Sequence, residues 1–378
     1  MLKEDCFPSI TITERNEKKR TFLKNSGWAD AVCTLMGADA SKRHYERLHH
    51  TTQGIAVLMD APPEFNQKTE EFIAITHFLS SNGFSVPEIL CFDLDHGFVL
   101  MEDLGFDTIN TVLCQRPAHP DILKSAMEVL ARFLTIQTPQ KLSLPLLNTP
   151  EKYVDISYYD TPLLLKETDL FMKYWIGGVM GESVSPDMKE EFNTLISDMV
   201  SLLPHNDNVF ILRDYHVDNL MWLPNRDGIK RIGLLDYQDS VRGSSSYDVV
   251  SLLQDARHTF SPDIEQSMLH YYIQQAQLTG CIDNSFDEIF RQSYVIMGLQ
   301  RNLKIIGIFS RLWLQDGNST YMQHIPRLWR YILERNFSTS IPEIQQEIQK
   351  LAEFIYRYVP EPNNFNLQKL PESQGIKP

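Results

Sequence analysis

The chain has 378 residues, 49 acidic against 35 basic side chains and a formal net charge of −14. That balance argues against a nucleic-acid partner, because phosphate backbones are held by clustered Lys and Arg that replace counterions. Hydrophobic residues at 43% and charged residues at 22% are the proportions of a folded soluble protein, and the length suits two domains or two lobes. Five cysteines (Cys6, Cys33, Cys91, Cys114, Cys281) form no C-x-x-C pair. An odd, scattered set fits reduced thiols and a cytoplasmic location. Met1 to Asp5 lacks the basic start of a signal peptide. The apolar stretch Ile305 to Leu314 is short and carries Arg311, so a core helix is expected and no membrane partner.

Tyr45 to His50 and Gly54 to Asp60 flank Thr51-Thr52-Gln53 and predict a β-hairpin. After Pro62-Pro63, Phe72, Ile75, Phe78 and Leu79 recur at helical spacing and Asn82-Gly83 supplies a stop. Pro87 to Asp93, a turn at Asp95-His96-Gly97, and Phe98 to Met101 predict two further strands. The composition shifts at Glu102 to Gly105, and from there the pattern is helical. Ile122, Ala126, Val129, Leu130, Phe133 and Leu134 form one stripe, and Phe192, Leu195, Ile196, Met199 and Leu203 another.

Within this helical half, Leu220 to Leu223, a turn at Pro224 to Gly228, and Ile232 to Leu235 predict a second hairpin. The expected organisation is an α+β fold of two lobes: residues 1–104 as a small β-rich lobe, a hinge at 102–105, and 105–359 as a larger helical lobe. The polar, proline-containing tail 360–378 is expected to be flexible.

The strongest local signal is Arg213-Asp214-Tyr215-His216-Val217-Asp218-Asn219, just before the second hairpin, with Leu234-Leu235-Asp236-Tyr237-Gln238 closing it. Phosphoryl transfer needs a carboxylate to orient and deprotonate an acceptor hydroxyl, and oxygen ligands to hold Mg²⁺ against nucleotide phosphates. D-x-x-x-x-N followed by a hairpin and a terminal Asp supplies both. Taken singly these Asp and Asn residues would pass for turn formers; their order and spacing around an apolar hairpin point to chemistry.

These motifs resemble the aminoglycoside phosphotransferase-like superfamily, small-molecule relatives of protein kinases. Within it the sequence is most similar to the bacterial anomeric kinases that phosphorylate N-acetylmuramate and N-acetylglucosamine in cell-wall recycling. The resemblance runs through Gly37 to Tyr45, Val57 to Pro63, Leu100 to Gly105, Arg213 to Asn219 and Leu235 to Asp248, with Leu163 to Phe171 and Gln300 to Lys304 marking the sugar-kinase branch. It implies a protein-kinase-like fold with the nucleotide in the cleft between lobes. It also implies ATP and Mg²⁺ as cofactors, Asp214 as catalytic base, and Asn219 and Asp236 as metal ligands. Glu102, Asp103 and Leu104 would form the hinge touching adenine, and Gly37 to Ser41 the phosphate-covering turn. Glu167, Arg301 and Lys304 are candidate contacts to a small sugar acceptor, each open to the simpler reading of a solvated helix residue.

Two positions depart from the family pattern. Leu212 stands where many relatives have His, which puts the packing of the loop in question more than its chemistry. The strand Val57-Leu58-Met59-Asp60 lacks the lysine that kinases place there for the phosphates; an arginine on the first strands, Arg43 before Arg47, is expected to replace it. His49-His50 has no second ligand pair at zinc spacing and is expected to be an exposed turn. His216 is read as a loop-packing residue, and Asp248 as an anchor of the loop or a helix cap. The alternatives to a sugar kinase are an aminoglycoside, choline or homoserine-type kinase, or a nucleotide-binding module without turnover.

Overall fold

The computed structural model describes residues 12–36, 43–65, 67–116, 120–145, 151–204, 208–283, 285–339 and 341–359. The expected phosphate-covering turn with Ser41 and the tail 360–378 lie outside them. The chain forms two compact units, one of Met1–Val112, Pro139–Asp155 and Asn219–Asp239, the other of Leu113–Thr138, Ile156–Asp218 and Ser240–Pro378. The chain therefore passes between units several times, rather than once at 102–105.

The first unit is built on a five-stranded antiparallel sheet. In chain order its elements are α1 (Ile12–Asn25), β1 (Val32–Leu35), β2 (His44–His50), β3 (Gly54–Asp60), α2 (Thr69–Ser81), β4 (Ile89–Asp93) and β5 (Phe98–Glu102), and the strands lie in the order β1-β2-β3-β5-β4. The β2–β3 hairpin pairs His44 with Asp60 and His50 with Gly54. Both histidines end strand β2: His49 is exposed, while His50 is half-buried and its Nδ1 accepts the Thr52 and Gln53 N–H groups of the turn that follows. One face of the sheet closes with α1 over Phe22, Leu23, Trp28, Leu48, Ala56, Leu58, Phe98 and Leu100. Burial of these side chains supplies the main driving force for the unit, at about 25 cal/mol per Å² of apolar surface.

The expected hairpin at 220–235 is present as strands Leu220–Trp222 and Ile232–Leu234, with Ile232 opposite Trp222 and Leu234 opposite Leu220. It belongs to the sheet-containing unit. The Leu234 N–H donates to the Ser85 carbonyl and the Trp222 N–H to the Asp107 carbonyl, which satisfies strand groups that would otherwise lack partners.

The second unit is helical, its longest element being the 31-residue helix Phe286–Asp316, which contains the expected core stretch Ile305 to Leu314. Helix Pro120–Phe133 carries the first predicted stripe except Leu134, and Pro186–Ser201 the second except Leu203, both of which lie just past the helix ends. Helices Thr161–Leu170, Pro186–Ser201 and Pro262–Leu278 start by the sequence rules, since Asp160, Ser185 and Ser261 each accept an N–H three residues on, with Pro in the first turn. Among the described residues no helix is long and apolar enough to cross a membrane.

Candidate active site

The boundary between the units falls inside the motif, between Asp218 and Asn219. On the first unit, the pairing of the hairpin extends one residue beyond its strands, because the Leu235 N–H donates to the Asn219 carbonyl at 3.0 Å. Asn219 and Asp236 therefore emerge from the same end of the hairpin. Gly233 permits this close packing, since a Cβ there would lie 2.9 Å from Leu104 Cδ1 and 3.0 Å from Met221 Cβ. Asp236 then turns the chain away from the strand with a left-handed φ of 56°, an unfavourable conformation for a side chain with a Cβ.

The next residues fix that turn. Tyr237 is fully buried, stacks on Phe72 of α2 with ring centroids 5.3 Å apart, and shares a 2.7 Å hydrogen bond with Thr76. The Asp236 carboxylate accepts from Gln238 Nε2 at 2.9 Å and from Arg43 Nη2 at 2.8 Å. Burial opposes the charge of Arg43, but Tyr45, Asp236 and Asp239 outweigh it and hold the guanidinium firmly protonated. Among the described residues no three His, Cys, Asp or Glu side chains gather into a metal site. Asn219 and Asp236 nevertheless offer two hard oxygen donors, the number Mg²⁺ takes from a protein when phosphates and waters complete its octahedron.

Of the expected hinge residues, Glu102 ends β5, and Asp103 and Leu104 follow it. Glu102 accepts from Arg226 Nη2 at 2.5 Å and from the Glu88 N–H, while its own N–H donates to the Glu88 carbonyl. Asp103 is held bidentately by Arg47 at 2.6 and 3.0 Å and accepts the Gly105 N–H. Arg47 also reaches the Gly105 carbonyl and lies 3.7 Å from the centroid of the Phe106 ring. Arg43, the first choice by sequence, and Arg47 thus differ in setting: Arg47 holds Asp103 beyond the end of β5, whereas Arg43 faces the Asp236 carboxylate.

On the second unit, the loop bearing Asp214 is held by its backbone. Arg213 is in the left-handed region at φ 71°. Asp248 accepts the Leu212 N–H at 2.6 Å and the Arg213 N–H at 3.0 Å, which makes it a loop anchor, one of its two expected roles. Burial pushes the Asp248 carboxyl up to about 7; the two N–H groups and Arg301 act against that shift and the charge of Asp214 adds to it. Asp255, which the sequence did not mark, accepts the N–H groups of Val217, Arg257 and His258 and so anchors the far side of the loop. Leu212 is buried at 3% exposure and fills its place in the loop by apolar packing.

His216 fits its expected packing role. Burial, reinforced by Arg257 and Arg301, holds its pKa well below the ordinary histidine value, and its Nε2 lies 3.2 Å from Arg257 Nη1. A neutral ring that accepts there is not poised as a base. The Tyr215 hydroxyl donates to the Ala126 carbonyl, pinning the loop to helix Pro120–Phe133.

The three candidate acceptor contacts are all buried, so the simpler reading of solvated helix residues does not hold for any of them: Glu167 and Lys304 are 9% exposed and Arg301 is 4%. The Glu167 carboxylate accepts from Arg213 at one oxygen and from the Tyr159 hydroxyl at the other, with Lys304 Nζ 3.1 Å away. Burial works against its ionisation, and Lys304 and Arg213 more than offset that, holding the carboxyl below its usual value. Lys304 also donates to the Tyr247 hydroxyl at 3.1 Å. Arg301 Nη2 donates to Ser251, and its charge stabilises the ionised forms of both loop anchors, Asp248 and Asp255.

Residues 32–281 match the phosphotransferase enzyme family. The chain is 30% identical over 346 residues to the N-acetylmuramate/N-acetylglucosamine kinase of Caulobacter vibrioides, covering 85% of this chain and 92% of that protein. It is 31% identical over 323 residues to the Pseudomonas putida protein of the same name, covering 84% and 88%. An ADP-bound aminoglycoside phosphotransferase of known structure shares the fold, with a TM-score of 0.53 at 14% identity, across 91% of this chain and 99% of the other. The mixed α+β fold is thus of the kinase-like kind, and the chain belongs to the phosphotransferase enzyme family. It is a small-molecule kinase.

Proposed function

We propose that this kinase transfers the γ-phosphoryl group of ATP to the anomeric hydroxyl of N-acetylmuramate or N-acetylglucosamine. The observation that carries the substrate is the roughly 30% identity, over more than four-fifths of the chain, with relatives named for that activity. The chemistry is assigned residue by residue. Asp214 is the base: it accepts the proton of the hydroxyl as that oxygen bonds to the γ-phosphorus, the bond to the β–γ bridging oxygen breaks, and ADP leaves. The proton then resides on the Asp214 carboxyl. Asn219 and Asp236 would hold Mg²⁺, which neutralises phosphate charge when bound. Arg43 supplies the cation that the third strand lacks, since a guanidinium can pair phosphate oxygens bidentately. Glu102, Asp103 and Leu104 are the proposed adenine-facing hinge, braced by Arg47. Use of ATP and a set of free thiols at Cys33, Cys91, Cys114 and Cys281 agree with work in the cytoplasm.

An acceptor screen with coupled ADP release tests the reading. Turnover with N-acetyl amino sugars supports it. Turnover confined to aminoglycosides, choline or homoserine would place the protein in another branch of the family, and ATP binding without consumption across the panel would make it a non-catalytic nucleotide binder.

A further inference from the structure

We infer that Glu167 is a positioning residue for the base Asp214, acting through a buried ion-pair relay Lys304–Glu167–Arg213 rather than through contact with the sugar. The inference rests on the reading of Asp214 as base. Arg213 immediately precedes that residue and sits at φ 71°, a conformation that a non-glycine residue keeps only when its surroundings hold it there. Two partners do so. Asp248 takes the backbone N–H groups of Leu212 and Arg213, and Glu167 takes the Arg213 guanidinium.

Glu167 is itself fixed. It projects from helix Thr161–Leu170, and its second oxygen receives the Tyr159 hydroxyl and faces Lys304 of helix Phe286–Asp316 at 3.1 Å. Tyr247, from the helix that also carries Asp248, receives Lys304 at 3.1 Å and packs edge-on against Tyr159, ring centroids 5.2 Å apart. The Arg213 guanidinium lies over the Tyr159 ring at 5.2 Å. Both carboxylate oxygens of Glu167 are thus committed inside the protein, and the helix on which it stands is tied through Arg213 to the peptide preceding Asp214. A carboxylate buried between two cations is retained at a cost in desolvation, and fixing the orientation of a reacting group is a gain that offsets it.

The test is a kinetic cycle on whichever acceptor the wild type turns over, with Glu167→Gln, Glu167→Asp, Asp214→Asn and the double variant Glu167→Gln/Asp214→Asn. Glu167→Gln should lower kcat by about 10- to 100-fold, the scale of a small misplacement of a reacting group. The KM values for acceptor and ATP should stay within about two-fold, because ground-state binding is untouched. Glu167→Asp should recover part of the loss, and Glu167→Gln should add little once Asp214 is already Asn. If Glu167→Gln fails to fold, Glu167→Gln/Lys304→Met removes a buried cation together with the anion and should show the same low kcat.

A raised acceptor KM at unchanged kcat would overturn the inference and make Glu167 a sugar contact. Wild-type kinetics in Glu167→Gln, full additivity with Asp214→Asn, or a wild-type kcat in the Lys304 double variant would overturn it as well. Should no N-acetyl amino sugar react, the substrate reading fails by itself. The same cycle, run on slow ATP hydrolysis by water, then decides the role of Glu167.

Discussion

The Arg43 guanidinium lies 2.8 Å from the Asp236 carboxylate, joining two residues 193 positions apart in the chain. The third strand has no lysine to serve phosphate: Val57, Leu58 and Met59 are buried, and Asp60 is paired with Arg15. The cation that pairs with Asp236 comes instead from Arg43, just before the second strand. On the proposed reading, this ion pair would give way when Asp236 takes a metal and Arg43 a phosphate.

Replacing Arg43 by Gln should raise the KM for ATP by about ten-fold or more, the worth of a charge-assisted hydrogen bond of roughly 1.5–3 kcal/mol, with a smaller effect on the acceptor KM. Steady-state kinetics with each substrate varied in turn gives the answer. Unaltered ATP kinetics would mean that the phosphate-facing charge comes from elsewhere.

For Asp236→Ala, Mg²⁺-nucleotide should bind far more weakly while metal-free nucleotide loses little, because the carboxylate serves the hard cation. Calorimetric titrations with and without Mg²⁺ separate the two. Equal losses would make Asp236 a structural partner of Arg43 alone.

Asp214→Asn keeps the shape of the side chain and removes its proton affinity, so kcat should fall by about 10²–10⁴, the usual worth of a positioned general base. Nucleotide affinity should hold. Retention of wild-type turnover would remove Asp214 from the chemistry.

Asp248 should give the enzyme a pH dependence. Its two oxygens accept two N–H groups, which the ionised form does best, while burial pushes its carboxyl up to about 7. The ionised fraction grows as pH rises through that value, so kcat should climb between about pH 6 and 8 as the loop tightens. For stability the sign is opposite: a raised carboxyl favours the folded state below its unfolded value, near 4, and that contribution fades as pH rises to about 7. Asp248→Asn should lower kcat and flatten the climb. A pH–rate profile in Asp248→Asn that keeps the wild-type step would assign it to another group.

Legibility in the sequence followed the physics of each element. The β2–β3 hairpin, α2 and the hairpin carrying Asn219 and Asp236 stand out because their apolar residues recur with a single period. By contrast, half of α1 is charged and among its described side chains only Phe22 and Leu23 are buried, and β1 is an edge strand exposed at all four positions, so neither shows a pattern. Helix Phe286–Asp316 shows only part of its core in the sequence, since Gln300, Arg301, Asn302 and Lys304 interrupt the apolar run although all are buried. The motif residues proposed for the site stand out in the sequence because Asp214, Asn219 and Asp236 have a fixed spacing around a hairpin. The groups behind them were not: Asp255 holds three N–H groups from 38 positions away and nearer, and Glu167 meets Arg213 across 46. Only folding creates those pairs.

The most direct measurement is the position of the phosphate on the product. N-acetylglucosamine and N-acetylmuramate are each incubated with the enzyme and Mg²⁺-ATP, and the products are read by phosphorus NMR with proton coupling. A phosphorus signal coupled to the anomeric proton, lost in Asp214→Asn, is the predicted result. Phosphate on another hydroxyl, or no sugar phosphate while an aminoglycoside or choline is phosphorylated, would contradict it.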